Sequence, residues 1–208
     1  MTARDDILAR IRAAASPPPA PQGPSAYRHL WQADRAQIIT RFIERLRDYH
    51  VTVLRAAGCA DIPLLAERQL ATRGIARLVV PPDLAASWRP ARPAPVEDHA
   101  LSHAELNAMQ GAFTGSCLGI AETGTVVLDA GQGQGRRALS LLPDYHLCVV
   151  READVVGIMP EAIAALQRRV EQGAPITFFS GPSATADIEL DRVEGVHGPR
   201  TLDVILVA

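Results

Sequence analysis

Short apolar runs and segments of helical periodicity alternate along most of this chain, and that alternation constrains the fold more than any single motif. Ile38, Ile39, Phe42, Ile43 and Leu46 recur at helical spacing, and "VTVLRA" from Val51 follows as a strand. "DIPLLAERQLATRG" reads as a helix closed by glycine and "IARLVVPP" as a strand stopped by prolines. "SHAELNAM" reads as a short helix opened by a capping box of Ser102 and Glu105. "YHLCVVR", "PITFFSG" and "TLDVILVA" are further buried strands, and "MPEAIAALQRRVEQG" is a helix with Pro160 near its first turn. The pattern predicts an α/β fold, an open and mostly parallel sheet with flanking helices. Within it, "AFTGSCLGIAETGTVVLDAG" holds two strand-like runs separated by "AETGT", too short for a crossover helix. An antiparallel pair or tight β turn is expected there.

The first residues stand apart from this pattern. Thr2 with Asp5 reads as a capping box, Ile7, Leu8 and Ile11 share a helical face, and the helix must stop at "SPPPAPQGP" from Ser16 to Pro24. A proline-rich run of this kind is extended and semi-rigid. The expected organisation is therefore an arm over residues 1–24 and one α/β domain over 25–208, with the arm a candidate docking element. At 208 residues the chain has room for one sizeable core.

Composition narrows the function classes. A net charge of −2 supplies no broad positive field for nucleic acid. No apolar run is long enough for a membrane span and the N-terminus is charged, so a soluble cytoplasmic protein is expected. All 21 basic residues are arginine, and the absence of lysine removes Schiff-base chemistry and a Walker-type phosphate loop. Cys59, Cys117 and Cys148 are widely spaced in apolar neighbourhoods, which predicts buried reduced thiols, with no iron–sulfur cluster or zinc site held by this chain alone.

Three stretches carry candidate chemistry. Gly131, Gly133 and Gly135 form "GQGQG", which misses the dinucleotide fingerprint because Arg136 stands where the third glycine belongs. The glycines still permit close backbone approach to a ligand and an anion-binding nest, and Arg136 and Arg137 offer bidentate recognition of phosphate or carboxylate. Glu122, followed by Thr123, Gly124 and Thr125, lies between two apolar runs as a nucleophile, a base or a turn residue. His146 opens a strand, as a structural imidazole or a base. The last stretch, "SGPSATADIELDRVEGVHGPR", leaves a buried strand at its carboxyl end, where open α/β sheets bind ligands. It places Gly181, Ser183, Asp187, Asp191 and His197 among the candidate ligand contacts, at spacings that match no metal motif.

"GIAETGTVVLDAGQGQGRRALSLLPDYHLCVV" and "TFFSGPSATADIELDRVEGVHGPRTLDVILV" together resemble the lactate-utilisation domain family, most closely from Gly115 to Ala208. The resemblance implies a fold like that of sugar-phosphate isomerases, methenyltetrahydrofolate synthetase and coenzyme A transferases. It also implies a part in a system that oxidises L-lactate to pyruvate, with iron–sulfur clusters on partner proteins and no cofactor in this chain. Glu122 with Gly124 looks similar to the glutamate and glycine of coenzyme A transferases that attack a thioester, although Thr123 and "GTVVLD" depart from it. Two expectations follow. The first is a non-redox subunit whose AETGT, GQGQGRR and Ser180–Arg200 segments converge on one pocket for a small anion. The alternative is a free-standing transferase or ligase acting on a phosphorylated or coenzyme A linked substrate, with Glu122 as nucleophile or base.

Overall fold

In the computed structural model, which describes residues 3–14, 27–182, 184–185, 193–194 and 198–208, the alternation resolves into two stacked sheets and a separate two-stranded antiparallel ribbon. The chain runs through α1 (Ala3–Ala14), α2 (Arg35–Asp48), β1 (Thr52–Ala56), α3 (Ile62–Thr72), β2 (Leu78–Val80) and β3 (Val96–Glu97). It continues through α4 (His103–Ala108), β4 (Gly111–Gly115), β5 (Leu118–Ile120), β6 (Thr125–Leu128), α5 (Arg137–Leu141) and β7 (Tyr145–Arg151). The remainder is β8 (Val155–Val156), α6 (Met159–Glu171), β9 (Thr177–Phe179), β10 (Ala184–Thr185), β11 (Val193–Glu194) and β12 (Thr201–Val207).

The larger sheet has the order β1-β12-β7-β4-β2-β3, with every pairing parallel. Its central strands read as continuous apolar runs because both faces are covered. In β7, Cys148 and Val150 point to one face while Leu147 and Val149 point to the other, the two-residue period of a strand. The second face packs against α3 through Ile62, Ala66 and Leu70. The first packs against α2 and the smaller sheet, through Phe42, Leu46, Val126, Leu128 and Phe179.

Local chemistry fixes where α2 and α4 begin. The Asp34 carboxylate accepts from the Gln37 amide at 2.8 Å, and the Gln37 side chain accepts from the Asp34 amide at 3.2 Å. Ser102 and Glu105 form the same reciprocal box at the start of α4, as their spacing predicts. The Thr2 box and the proline-rich run fall outside the described residues.

The smaller sheet has the order β8-β5-β6-β9. β5 and β6 form the antiparallel pair expected across "AETGT", and β9 adds antiparallel to β6. Leu118, Ile120 and Val127 turn away from the larger sheet and lie under α6, against Ala162 and Leu166. The run "AFTGSCLGI" is not one strand: it leaves the larger sheet at Gly115 and enters the smaller one at Leu118. Ser116 secures this crossing by donating to the Val149 carbonyl at 2.9 Å. Cys59 corrects an expectation as well, being exposed at the start of a short helical turn, while Cys117 is half-buried and Cys148 buried.

Candidate functional site

Parallel strands present their carboxyl ends on one edge of the sheet, and the loops that leave β2, β4 and β7 there enclose a cleft of about 500 Å³. Asp83, Leu84 and Trp88 follow β2, Ser116 and Cys117 follow β4, and Val149 and Arg151 end β7. The loop after β6, from Asp129 to Gln134, and Arg169 of α6 close the opposite wall.

The glycine loop is held by carboxylates of the chain itself. The Gly131 amide donates to Asp129 at 3.0 Å and the Gly133 amide to Asp83 at 3.0 Å, while the Gly133 carbonyl accepts from the Gly115 amide at 2.7 Å. Asp129 also accepts from Gln134 at 2.7 Å and from Arg169 at 2.6 Å. Burial pushes the Asp129 carboxyl up, but the bonds from Arg169, Gln134 and the Gly131 amide outweigh it, and the group sits below its ordinary value. Gly131 and Gly133 therefore line the cleft, but their amides are taken by Asp129 and Asp83 rather than free as the anion nest expected from "GQGQG". Burial first, and then Asp129, push the Cys117 thiol up to about 11, so it is a protonated wall group rather than a nucleophile.

Arg151 is the cation of the cleft with donors to offer. Its Nε donates to Asp154 at 2.6 Å, and its two terminal nitrogens have no partner among the described residues. Arg169, by contrast, is bound to Asp129. Asp83, Trp88, Ser116, Arg151 and Arg169 were not singled out from the sequence. Asp83, Ser116 and Arg151 lie at or just past strand ends far apart in the chain, and that position was the available signal.

The remaining expected residues divide among other places, and among the described residues the AETGT turn does not line the cleft of the glycine loop. Glu122–Gly124 precede β6, Thr125 opens it and the glycine loop follows it, so the strand holds the two segments at opposite ends. Glu122 forms an ion pair with Arg28 at 2.7 Å. Thr123 and Thr125 share a hydroxyl contact of 2.7 Å, and Thr125 shares another of 2.7 Å with Ser180. The Gly124 turn, at φ +61°, lies so close to α2 that a Cβ would come within 2.7 Å of the Arg45 backbone. Gly181 rests in the same way on Tyr49. Gly181 and Arg137 line a separate groove along β9, so these two do come together.

Arg136 departs from its expected role because a neighbouring carboxylate claims it. Its Nε and one terminal nitrogen donate to Asp98 at 2.7 and 3.0 Å, and it also donates to the Leu101 carbonyl. Gly135 turns the chain against Pro81 and Leu139. His146 lies wholly buried between the sheets, edge-on to Phe179 at 5.5 Å, and lines neither depression. The Thr114 hydroxyl donates to the Gly115 carbonyl, so the imidazole Nε2, 2.8 Å from that hydroxyl, is the donor and Nδ1 is a bare acceptor. Burial pushes His146 down to about 4, which keeps it neutral. Ser183, Asp187, Asp191 and His197 lie outside the described residues.

Among the described residues no group of three or more His, Cys, Asp or Glu is placed to hold a metal ion, and no helix is long and apolar enough to cross a membrane.

Known proteins share this architecture and sequence. A lactate utilization protein C from Deinococcus radiodurans is 44% identical over 174 residues, covering 83% of this chain and 81% of that protein. Another of that name, from Geobacillus kaustophilus, is 34% identical over 167 residues, covering 71% and 69%. The crystal structure of a DUF162 family protein from Deinococcus radiodurans superposes with a TM-score of 0.74 at 36% identity, over 85% of this chain and 99% of that one. Residues 39–207, which hold both sheets and every wall of the cleft, match the LUD domain, and the chain belongs to the LUD domain family.

Proposed function

We propose that this chain serves lactate utilisation as a non-redox subunit that holds a small anionic ligand in the cleft at the ends of β2, β4 and β7. The observation that carries this reading is Arg151: a guanidinium with two undirected terminal nitrogens at the edge of a cleft whose other cation, Arg169, is bound to Asp129. The names of the relatives support the pathway. Electron transfer belongs, on this reading, to iron–sulfur partner proteins. On this reading Glu122 is the ion-pair partner of Arg28 at the far end of β6 rather than a covalent nucleophile.

The test joins binding to growth. A strain lacking its own copy and supplied with this chain grows on L-lactate, and Arg151→Gln abolishes or strongly slows that growth at unchanged protein level. Native mass spectrometry with L-lactate, pyruvate, nucleotides and coenzyme A identifies which anion Arg151 retains. Normal growth of the Arg151→Gln strain, with ligand retention unchanged, overturns the assignment of the cleft.

A further inference from the structure

The cleft is too large and too two-sided for L-lactate. A water occupies roughly 30 Å³ of liquid, so a molecule of lactate's six heavy atoms displaces on the order of 100 Å³. The cleft holds about 500 Å³, within the range of sites for much larger ligands. Its lining has two characters, apolar at Leu84, Trp88 and Val149 and polar at Asp83, Ser116, Arg151 and the glycine loop.

Trp88 supplies a broad aromatic surface at the cleft, half-buried and seated against Gly115, where a Cβ would stand 3.5 Å from its ring. Indole faces favour flat, electron-poor rings. On the same loop, Asp83 uses one carboxylate oxygen for the Gly133 amide, and its other oxygen has no partner among the described residues. That oxygen accepts from an N–H, whether of a ring nitrogen or of an amino group on the ring. Arg151 then receives the negative end.

We infer that the cleft binds a flat heteroaromatic ring bearing an N–H donor and joined to a phosphate, the chemistry of a purine or flavin mononucleotide. The inference rests on the reading of this cleft as the ligand site and names the class of its ligand. The ring stacks on Trp88, its N–H donates to Asp83, and the phosphate pairs with Arg151.

Trp31 and Trp88 are the two tryptophans of the chain. Trp31 packs elsewhere, against Gly157, so Trp31→Phe leaves Trp88 as sole reporter. This variant is titrated with adenosine monophosphate, flavin mononucleotide, L-lactate and pyruvate while tryptophan emission is followed. The same four probes are titrated calorimetrically into the unsubstituted chain and into Trp88→Leu and Arg151→Gln. At least one nucleotide is expected to quench Trp88 saturably, and each substitution to weaken it by roughly tenfold or more, as loss of one stacked ring does. Nucleotide binding that Trp88→Leu leaves unchanged overturns the inference, because the ring then sits elsewhere. Binding of L-lactate or pyruvate alone, lost in Arg151→Gln, overturns it too but preserves the proposed function. Silence from all four probes overturns both.

Discussion

Asp203 shows how this fold tolerates a charge in its core. Its side chain is fully buried on β12, yet it accepts from Gln69 at 2.6 Å, from two nitrogens of Arg73 at 2.8 Å each, from Tyr145 at 3.0 Å and from the Thr52 amide at 3.2 Å. Burial raises the carboxyl, but Arg73 and Gln69 overcome it and hold the group ionised. Replacing Arg73 with Met leaves that charge unpaired, and we expect a loss of about 3–5 kcal/mol in urea unfolding. His146 makes a second residue-level prediction. Its ordinary value is 6.5 and burial lowers it to about 4, so as pH falls the unfolded chain takes up its proton first. The contribution is complete above pH 6.5 and is lost between 6.5 and about 4, for a total of about 3 kcal/mol. His146→Gln keeps a donor toward Thr114 without the titration, and its stability should stay flatter across that interval. Glu122→Gln, which removes only a partly exposed ion pair with Arg28, should leave growth on L-lactate intact. Loss of growth at normal protein level would restore the covalent alternative.

Elements differ in how plainly the sequence announces them. The Ser102–Glu105 box is a local signal, and α4 starts where it says; the Asp34–Gln37 box is as local and marks α2 equally well. β7 and β12 are legible as long apolar runs because both their faces are buried. The division of "AFTGSCLGI" between two sheets is not legible, since apolarity continues through Ser116 and Cys117 while the partner strands change. The cleft was hidden for a related reason: its walls come from separate strand ends, and only topology makes Asp83, Ser116 and Arg151 neighbours. The glycines of "GQGQG" pointed to the right loop, but nothing local reveals that Asp83 and Asp129 occupy its amides. Gly124 gives a test at this scale. Alanine there meets both the left-handed backbone and the Arg45 main chain, so Gly124→Ala should cost about 2 kcal/mol or more and lower the melting temperature. An unchanged melting curve would mean that the β5–β6 turn does not seat on α2.

For the whole molecule, the question is what α1 does. Both sheets and α2 to α6 form the buried clusters, whereas α1 buries none of its residues and exposes Ile7 and Ile11 at 58% and 59%. A helix of twelve residues with no packed face has little stability of its own in water, so whatever orders it lies outside its own sequence. The family match begins at residue 39, beyond α1, so the helix lies outside the matched residues. We propose that residues 1–24 dock on a partner in lactate utilisation through the Ile7 and Ile11 face. A chain starting at residue 25 should then melt within a few degrees of the full chain and bind the same cleft ligand, because no core contact is lost. It should also fail to retain other lactate-utilisation proteins in co-purification, as should the full chain carrying Ile7→Asp and Ile11→Asp. Retention of those partners by both variants removes α1 from the interface. A large fall in melting temperature for the shortened chain shows instead that the arm belongs to the folded body.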